Sequence, residues 1–365
     1  MFLFIVDTFA AHMLRGKAQY GEARVIEVPM IPGATDAVRR MPLWFKGGAP
    51  MTKPRIGTLT ATAALMAGLA APAAADTVRI GITQNDVGVD SYQTTYEQAF
   101  IDAAEERDDV ETIVLDAGGD VALQINQMQD LIQQQVDAII VWPTDGTALV
   151  PAVRNAHRQD IPVIVTNSNI AEEGMEFIAA FSGPDNIQQG ASAAELMCEG
   201  LDGEGEIVQI TGQPGYTTAI ERQRGFEDEL AEICPGIEII ATQPGDWNRE
   251  RAQSVMEDFL TQYDHIDGVY AGDDNMGVGA LNAAKDAGRA EGMVFVGATN
   301  FAVGYDAMAE GEYYGSIYQS PVDDARAALQ TALDVLAGED VPKLNYFETP
   351  KIDQSNMDEF DRPVF

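Results

Sequence analysis

The chain has 365 residues, with 22 Lys and Arg against 58 Asp and Glu, a formal net charge of −36. At about 100–200 residues per domain, this length implies two domains; the 46% apolar content supplies packed cores and excludes a mainly disordered chain. So acidic a surface repels phosphate and argues against nucleic acid as a partner, while two Cys and three His leave little for a Cys/His metal site.

The first readable segment is 51–76, MTKPRIGTLTATAALMAGLAAPAAAD. Lys53 and Arg55 form a positive start, 56–71 a mostly apolar, Ala-rich stretch, and Ala73-Ala74-Ala75 an A-x-A cleavage site before Asp76. That is the order of a secretory signal peptide spanning 51–75 and cleaved after Ala75. Residues 1–50 show no sustained period and read as a non-native upstream extension, since 50 residues are marginal for a core of their own. Removing the eight basic and four acidic residues of 1–75 leaves 14 basic and 54 acidic, a net charge of −40. Self-repulsion at that charge favours a soluble monomer. No 18-residue apolar run follows residue 75, so no membrane span is expected there.

Beyond residue 76, apolar and β-branched runs predict strands at 78–83, 112–116, 138–142, 163–167, 177–183, 206–212, 237–242, 268–272, 293–297 and 313–319. Amphipathic stretches lie between many of them. In 120–134, Val121, Ile125, Met128 and Leu131 with Ile132 share one face. Continuous apolar strands separated by helices imply an α/β fold with parallel sheets covered on both faces. Ligands of such sheets sit beyond the carboxyl ends of the strands. Here those ends, at 84–90, 142–145, 167–169, 211–215, 246–247, 272–275 and 299–301, are rich in Asp, Asn, Thr and aromatics, side chains suited to hydroxyl groups.

Reaction chemistry leaves no comparable signal. Neither a GxxxxGK[ST] loop nor a G-x-S-x-G elbow occurs. Gly277-x-Gly279-x-x-Asn282 lacks the third glycine of a dinucleotide fingerprint. No nucleophile–base set is recognisable, so neither an enzyme nor a cofactor is expected. Export would place Cys198 and Cys234 in an oxidising space, where a disulfide between them is expected, two buried thiols being the alternative.

Four stretches, taken in order, resemble one family. They are LDAGGDVALQINQMQDLIQQQVDAIIVWPTDGTALVPAV (115–153), IERQRGF (220–226), TQPGDWNRERAQSVMEDFL (242–260) and AGDDNMGVGALNAAKDAG (271–288). From Val78 to about Pro350 the chain resembles the periplasmic sugar-binding proteins of the ribose-binding type, which feed ABC transporters. The resemblance implies a type I periplasmic binding fold: two Rossmann-like lobes, each a parallel sheet flanked by helices, joined by three hinge crossings. One lobe would comprise 76–181 with 320–350, the other 182–319 with 351–365, and crossings would fall near 181–183, 319–320 and 349–351.

Site residues follow from the resemblance one at a time. The family's Asn-Pro-Phe-Phe after the first strand falls, with one inserted residue, on Asp90, Ser91, Tyr92 and Gln93. Its Asp-Arg pair after the fourth strand falls on Asn167 and Ser168, so both charges are gone. Its ligand-binding Arg falls on Arg222, its aromatic after Pro-Ala-Asp on Trp247, and the Asn of its Asn-Asp pair on Asp273. The Asp of Gly-Phe-Asp-Gly falls on Thr299, with Asn300 next to it, and the hinge Gln on Gln319. Plainer readings stand beside these: core aromatics for Tyr92 and Trp247, a solvated helix charge for Arg222, a helix cap for Asp273, turn residues for Thr299 and Asn300, and a hinge hydrogen bond for Gln319.

The family implies a solute-binding protein of the periplasm that holds a monosaccharide or sugar alcohol for an inner-membrane ABC permease. A receptor for a small signalling sugar is the alternative. A repressor-type core would need a cytoplasmic address, and an exported enzyme would need a nucleophile–base set. The neutral Gln93, Asn167, Ser168 and Thr299 favour an open-chain sugar alcohol of four to six carbons over ribose.

Overall fold

The computed structural model describes residues 77–365, so the extension and the signal segment read within 1–75 lie outside the described residues. Strand and helix alternate through β1 (Val78–Gln84), α1 (Ser91–Glu105), β2 (Val110–Asp116), α2 (Val121–Gln133), β3 (Ala138–Val141), α3 (Val150–His157), β4 (Val163–Thr166) and β5 (Ala180–Pro184). The second series is α4 (Asn186–Gly200), β6 (Glu204–Thr211), α5 (Thr217–Ile233), β7 (Gly236–Pro244), α6 (Arg249–Gln262), β8 (Gly268–Ala271), α7 (Asp274–Asp286), β9 (Val294–Val296), α8 (Ala302–Ala309) and β10 (Gly315–Ile317). The chain then runs through α9 (Pro321–Ala337), β11 (Leu344–Phe347) and β12 (Lys351–Asp353).

Two six-stranded sheets result, β11-β5-β4-β3-β1-β2 and β12-β10-β9-β8-β6-β7. Every pairing is parallel except β10 with β12. The four residues of β3, β4 and β8 are all buried, as expected of central strands covered by helices on both faces. Each sheet with its helices forms one α/β lobe. The N-terminal lobe takes α9 back, packed on α1, β4 and β5; the C-terminal lobe takes α4, packed on α5 and β10. The chain thus passes between lobes at 184–186, 317–321 and 347–351.

Two differences from the sequence reading have local causes. The fifth strand starts at Ala180, not 177, because 172–177 forms a 3₁₀ turn whose Phe177 packs under Arg154 and against His157. Strands β11 and β12 were not expected: at four and three residues, on sheet edges, they carry no apolar run to announce them.

Polar caps place the cleft end of several helices. Asp90 caps α1, Asp273 caps α7 and Ser320 caps α9, each accepting from a backbone N–H of the first turn. Reciprocal glycines seat α4 against α5. A Cβ on Gly190 would strike the Arg222 carbonyl, and one on Gly225 the Ile187 carbonyl. This close approach sets the height of the Arg222 side chain in the cleft. Cys198 of α4 is bonded to Cys234 at the end of α5, with Cα atoms 5.9 Å apart, pinning the same helix pair.

Candidate functional site

A cavity of about 40 Å³ opens between the carboxyl ends of the two sheets. At ~10–15 Å³ per water it holds only a few waters. Nine of the ten expected ligand-binding residues line it: Asp90, Tyr92, Gln93, Asn167, Arg222, Trp247, Asp273, Thr299 and Gln319. Asn300 does not. Its side chain is fully buried behind the wall, and its N–H donates to Ser316 Oγ at 3.1 Å. Four lining residues were missing from the expected set: Trp142, Tyr216, Thr218 and Phe301. Trp142 and Phe301 stand at strand ends already read as ligand-facing. Tyr216 and Thr218 follow the turn-like GQPG of 212–215, where nothing in the sequence singles them out.

The N-lobe wall starts at the first turn of α1. Asp90 Oδ1 accepts from the Gln93 N–H at 2.9 Å, fixing where Tyr92 and Gln93 emerge. The Tyr92 ring meets Trp142 edge-on, centroids 6.1 Å apart at 87°. Its hydroxyl donates to Asp324 Oδ2 at 2.8 Å and accepts from Gln319 Nε2 at 2.7 Å. Asn167 follows β4 with φ of 58° and donates from Nδ2 to the same Asp324 oxygen at 2.6 Å. The Gln93 Oε1 has no partner in the protein.

On the C-lobe wall Arg222 is the hub. Nε donates to Gln189 Oε1 at 2.9 Å, Nη1 to the Gly272 carbonyl at 2.7 Å and to Thr299 Oγ1 at 3.2 Å, and Nη2 to Gln319 Oε1 at 3.0 Å. The bland helix-surface reading of Arg222 therefore fails: the side chain is 4% exposed. Trp247 sits at φ 59°, a conformation that bulky residues rarely adopt. Its ring lies over Gly212, where any Cβ would collide with it, and packs edge-on against Tyr216 at 5.9 Å. Asp273 performs two tasks, capping α7 through Met276 N at 2.7 Å and facing the cavity.

The walls touch directly. Trp142 Nε1 donates to the Tyr216 hydroxyl, and the Thr218 N–H donates to Ser168 Oγ at 3.3 Å. With the Gln319 contacts, these bonds describe a closed cleft. Burial dominates its electrostatics. It raises the Asp90 carboxyl to about 6 and the Asp273 carboxyl to about 7, and it lowers Arg222. Two hydrogen-bonding carboxyls, one multidentate guanidinium, several amides and hydroxyls, and the rings of Tyr92, Trp142, Trp247 and Phe301 surround one small space. Planar groups of this kind take paired hydroxyls, and the rings cover weakly polar C–H faces. Among the described residues no group of His, Cys, Asp and Glu is arranged to hold a metal ion.

Comparison with known proteins decides the family. Residues 80–340 match the family described as periplasmic binding protein domain. The chain belongs to the periplasmic binding protein family. It is similar to the xylitol-binding protein of Mycolicibacterium smegmatis, 32% identical over 311 residues that cover 83% of this chain and 87% of the relative. It is also similar to the ribose import binding protein of Escherichia coli, 28% identical over 80% of this chain and 95% of the relative. Among solved structures, the Caulobacter myo-inositol binding protein bound to myo-inositol superposes with a TM-score of 0.73 at 27% identity, covering 78% of this chain and 96% of that one. As a periplasmic binding protein of type I architecture, the chain is a solute-binding protein and not an enzyme.

Proposed function

We propose that the cleft binds one small, neutral, polyhydroxylated solute, a monosaccharide or sugar alcohol, and delivers it to an inner-membrane ABC permease. The observation that carries this reading is the enclosure of Arg222, Gln319, Asp90 and Asp273 with five aromatic rings around a single small space. Closing over the solute excludes water, so each buried polar group left unpaired by a wrong ligand costs about 1–3 kcal/mol. Within this class the amide and hydroxyl character of Gln93, Asn167, Ser168 and Thr299 favours an open-chain sugar alcohol of four to six carbons. The resemblance to a xylitol-binding protein supports that choice.

Mass spectrometry of solute released from freshly purified, denatured protein names the ligand. Calorimetry against erythritol, xylitol, ribitol, glucitol, ribose, xylose and galactose ranks the class. Tight binding of a cyclic aldose with no response to any polyol overturns the sugar-alcohol choice and leaves the receptor assignment standing. Binding of none of these, with nothing released on denaturation, overturns the receptor assignment. The lobes hinge at the three crossings, and ligand biases closure by contacting both. Small-angle scattering should show contraction on binding, and ligand at 100 times its Kd should add about 2.7 kcal/mol of stability. The exported form begins at Asp76 and acts as a monomer, which N-terminal sequencing and sedimentation test.

A further inference from the structure

Asp324 lies on α9, fully buried, behind the N-lobe wall and outside the cavity lining. Among the described residues no cation reaches its carboxyl. Its partners are the Tyr92 hydroxyl at 2.8 Å, Asn167 Nδ2 at 2.6 Å and, weakly, Thr166 Oγ1 at 3.5 Å. Oδ2 accepts from both the Tyr92 hydroxyl and Asn167 Nδ2, and does so whether or not the other oxygen carries a proton, so it dictates the polarity of both neighbours. Tyr92 must spend its proton on Asp324, and its oxygen is taken by Gln319 Nε2 at 2.7 Å. Gln319 is thereby oriented with Oε1 towards Arg222 Nη2 and Gln189 Nε2, at 3.0 and 2.9 Å. Asn167 must turn Nδ2 to Asp324, which leaves its Oδ1, with no hydrogen-bond partner among the described residues, as the acceptor of a residue that lines the cavity.

We infer that Asp324 is a specificity-determining positioning residue: through Tyr92 and Asn167 it fixes the polar face that the N-lobe wall shows to the ligand. Tyr92 offers a ring without a free hydroxyl, and Asn167 offers an acceptor. The ligand must therefore bring a hydrogen-bond donor to that wall. A hydroxyl qualifies. A fluorine or an ether oxygen in the same place does not.

This inference rests on the proposed binding of a sugar or polyol, and its test separates the two. Wild type and Asp324→Asn, which keeps the volume, are titrated calorimetrically with xylitol, D-ribose and the monodeoxyfluoro analogues of each. One fluorine position should be rejected by wild type by about 100-fold, because a buried acceptor goes unpaired. In Asp324→Asn the Asn167 amide is free to turn, and that rejection should shrink roughly tenfold while binding of the parent polyol weakens less. Equal rejection in both proteins overturns the inference. A ligand-free arm follows the Asn167 side-chain amide by ¹H–¹⁵N NMR. A proton bonded to the carboxylate should resonate far downfield in wild type and return to the ordinary amide range in Asp324→Asn. If neither xylitol nor D-ribose binds wild type, the amide signal alone decides the role of Asp324: unchanged between the two proteins, it overturns that role.

Discussion

Tyr92, Gln93 and Trp142 of the N-lobe wall stand on ordinary backbone, and only Asn167 has a positive φ there; on the C-lobe wall Trp247 and Thr299 are left-handed, at 59° and 85°, with Asp246 and Asn300 beside them. Such conformations cost on the order of 1–3 kcal/mol each in bulky or β-branched residues and persist only where packing over-determines them. The N-lobe wall is organised around a buried carboxyl, Asp324, and the C-lobe wall around a buried cation, Arg222. Gln319, at the second crossing, bonds to Tyr92 on one side and Arg222 on the other. The difference teaches that the two halves were made rigid by separate means, hydrogen-bond polarity in one and backbone strain plus a buried charge in the other. Gln319 joins the two networks at the hinge, and the Trp142–Tyr216 and Thr218–Ser168 bonds match the walls elsewhere.

Removing the cation should break the comparison most severely. Arg222→Ala leaves Gln189 Oε1 and the Gly272 carbonyl without their donor, Gln319 Oε1 with Gln189 Nε2 alone, and Asp273 without one of its two opposing charges. Loss of one partner from a buried charged network costs about 3–5 kcal/mol. Urea denaturation should show that loss in the ligand-free protein, and calorimetry should show binding fall by about 100-fold or more. Unaltered stability and affinity would remove Arg222 from the site.

Trp247→Ala attacks the strained wall without touching charge. The ring has a slot made for it by Gly212 and Gly272 and shields the cavity next to Tyr216. Binding should weaken by roughly 2–4 kcal/mol, the range of a buried aromatic hot spot. Stability should fall as well, since Ala keeps a Cβ at this left-handed position and relieves nothing there, while the packing of a large ring is lost. An affinity equal to that of wild type would return Trp247 to the status of a core aromatic.

The first ten strands and the order of helices between them were legible because buried parallel strands must be continuously apolar, as in AIIV of β3 and VIVT of β4. The cavity residues that follow strand ends were legible for the same topological reason. Tyr216 and Thr218 were not, because they reach the cleft from the α5 end of a Gly-Pro-Gly-containing loop that reads only as a turn. Asp324 was hidden by its neighbours: Ser320, Pro321, Asp323 and Asp324 look like a solvated helix start. A helical wheel separates the two acids, since Pro321, Asp324, Ala325, Ala328 and Leu329 form the buried stripe while Asp323 faces out. That inward carboxylate was the available signal.

A pH titration sharpens the contrast between buried anions and the solvated ones. Unfolded Asp ionises near 3.9. In the folded protein burial raises Asp90 to about 6, Asp273 and Asp324 to about 7, and Asp274 to about 8. Between about pH 4 and pH 8 the unfolded chain has released these protons while the folded chain retains them. Stability of the ligand-free protein should therefore fall as pH rises across that window and level off above it. Urea denaturation at steps from pH 4.5 to pH 9 measures the slope, and Asp273→Asn should flatten it by the share of one carboxyl. Stability that rises with pH across the window would contradict the burial of these four acids.

The smallest effect concerns an aromatic contact between the walls that needs no ligand. The C-terminal segment is fastened to α8 of the C-lobe, where Arg362 forms two 2.7 Å bonds to Asp306 and the Ala302 N–H donates to the Phe365 oxygen at 2.8 Å. It carries the Phe365 ring onto Phe301 of its own lobe, centroids 5.5 Å apart, and onto Tyr92 of the opposite lobe at 5.6 Å and 89°. Opening the hinge separates Phe365 from Tyr92 but leaves Phe301 in place, so only the first contact favours closure. An edge-to-face pair contributes about 0.5–1.5 kcal/mol. Phe365→Ala should thus raise Kd by roughly threefold to tenfold, nearly all of it as faster release. Trp142 and Trp247 in the cavity wall supply the fluorescence signal for stopped-flow measurement of that rate. Arg362→Ala, which loosens the tail at the surface and keeps the ring, should shift release in the same direction by less. A release rate identical to wild type in Phe365→Ala would show that the lobes close without this strap, leaving the Gln319 bridge and the ligand to hold the walls together.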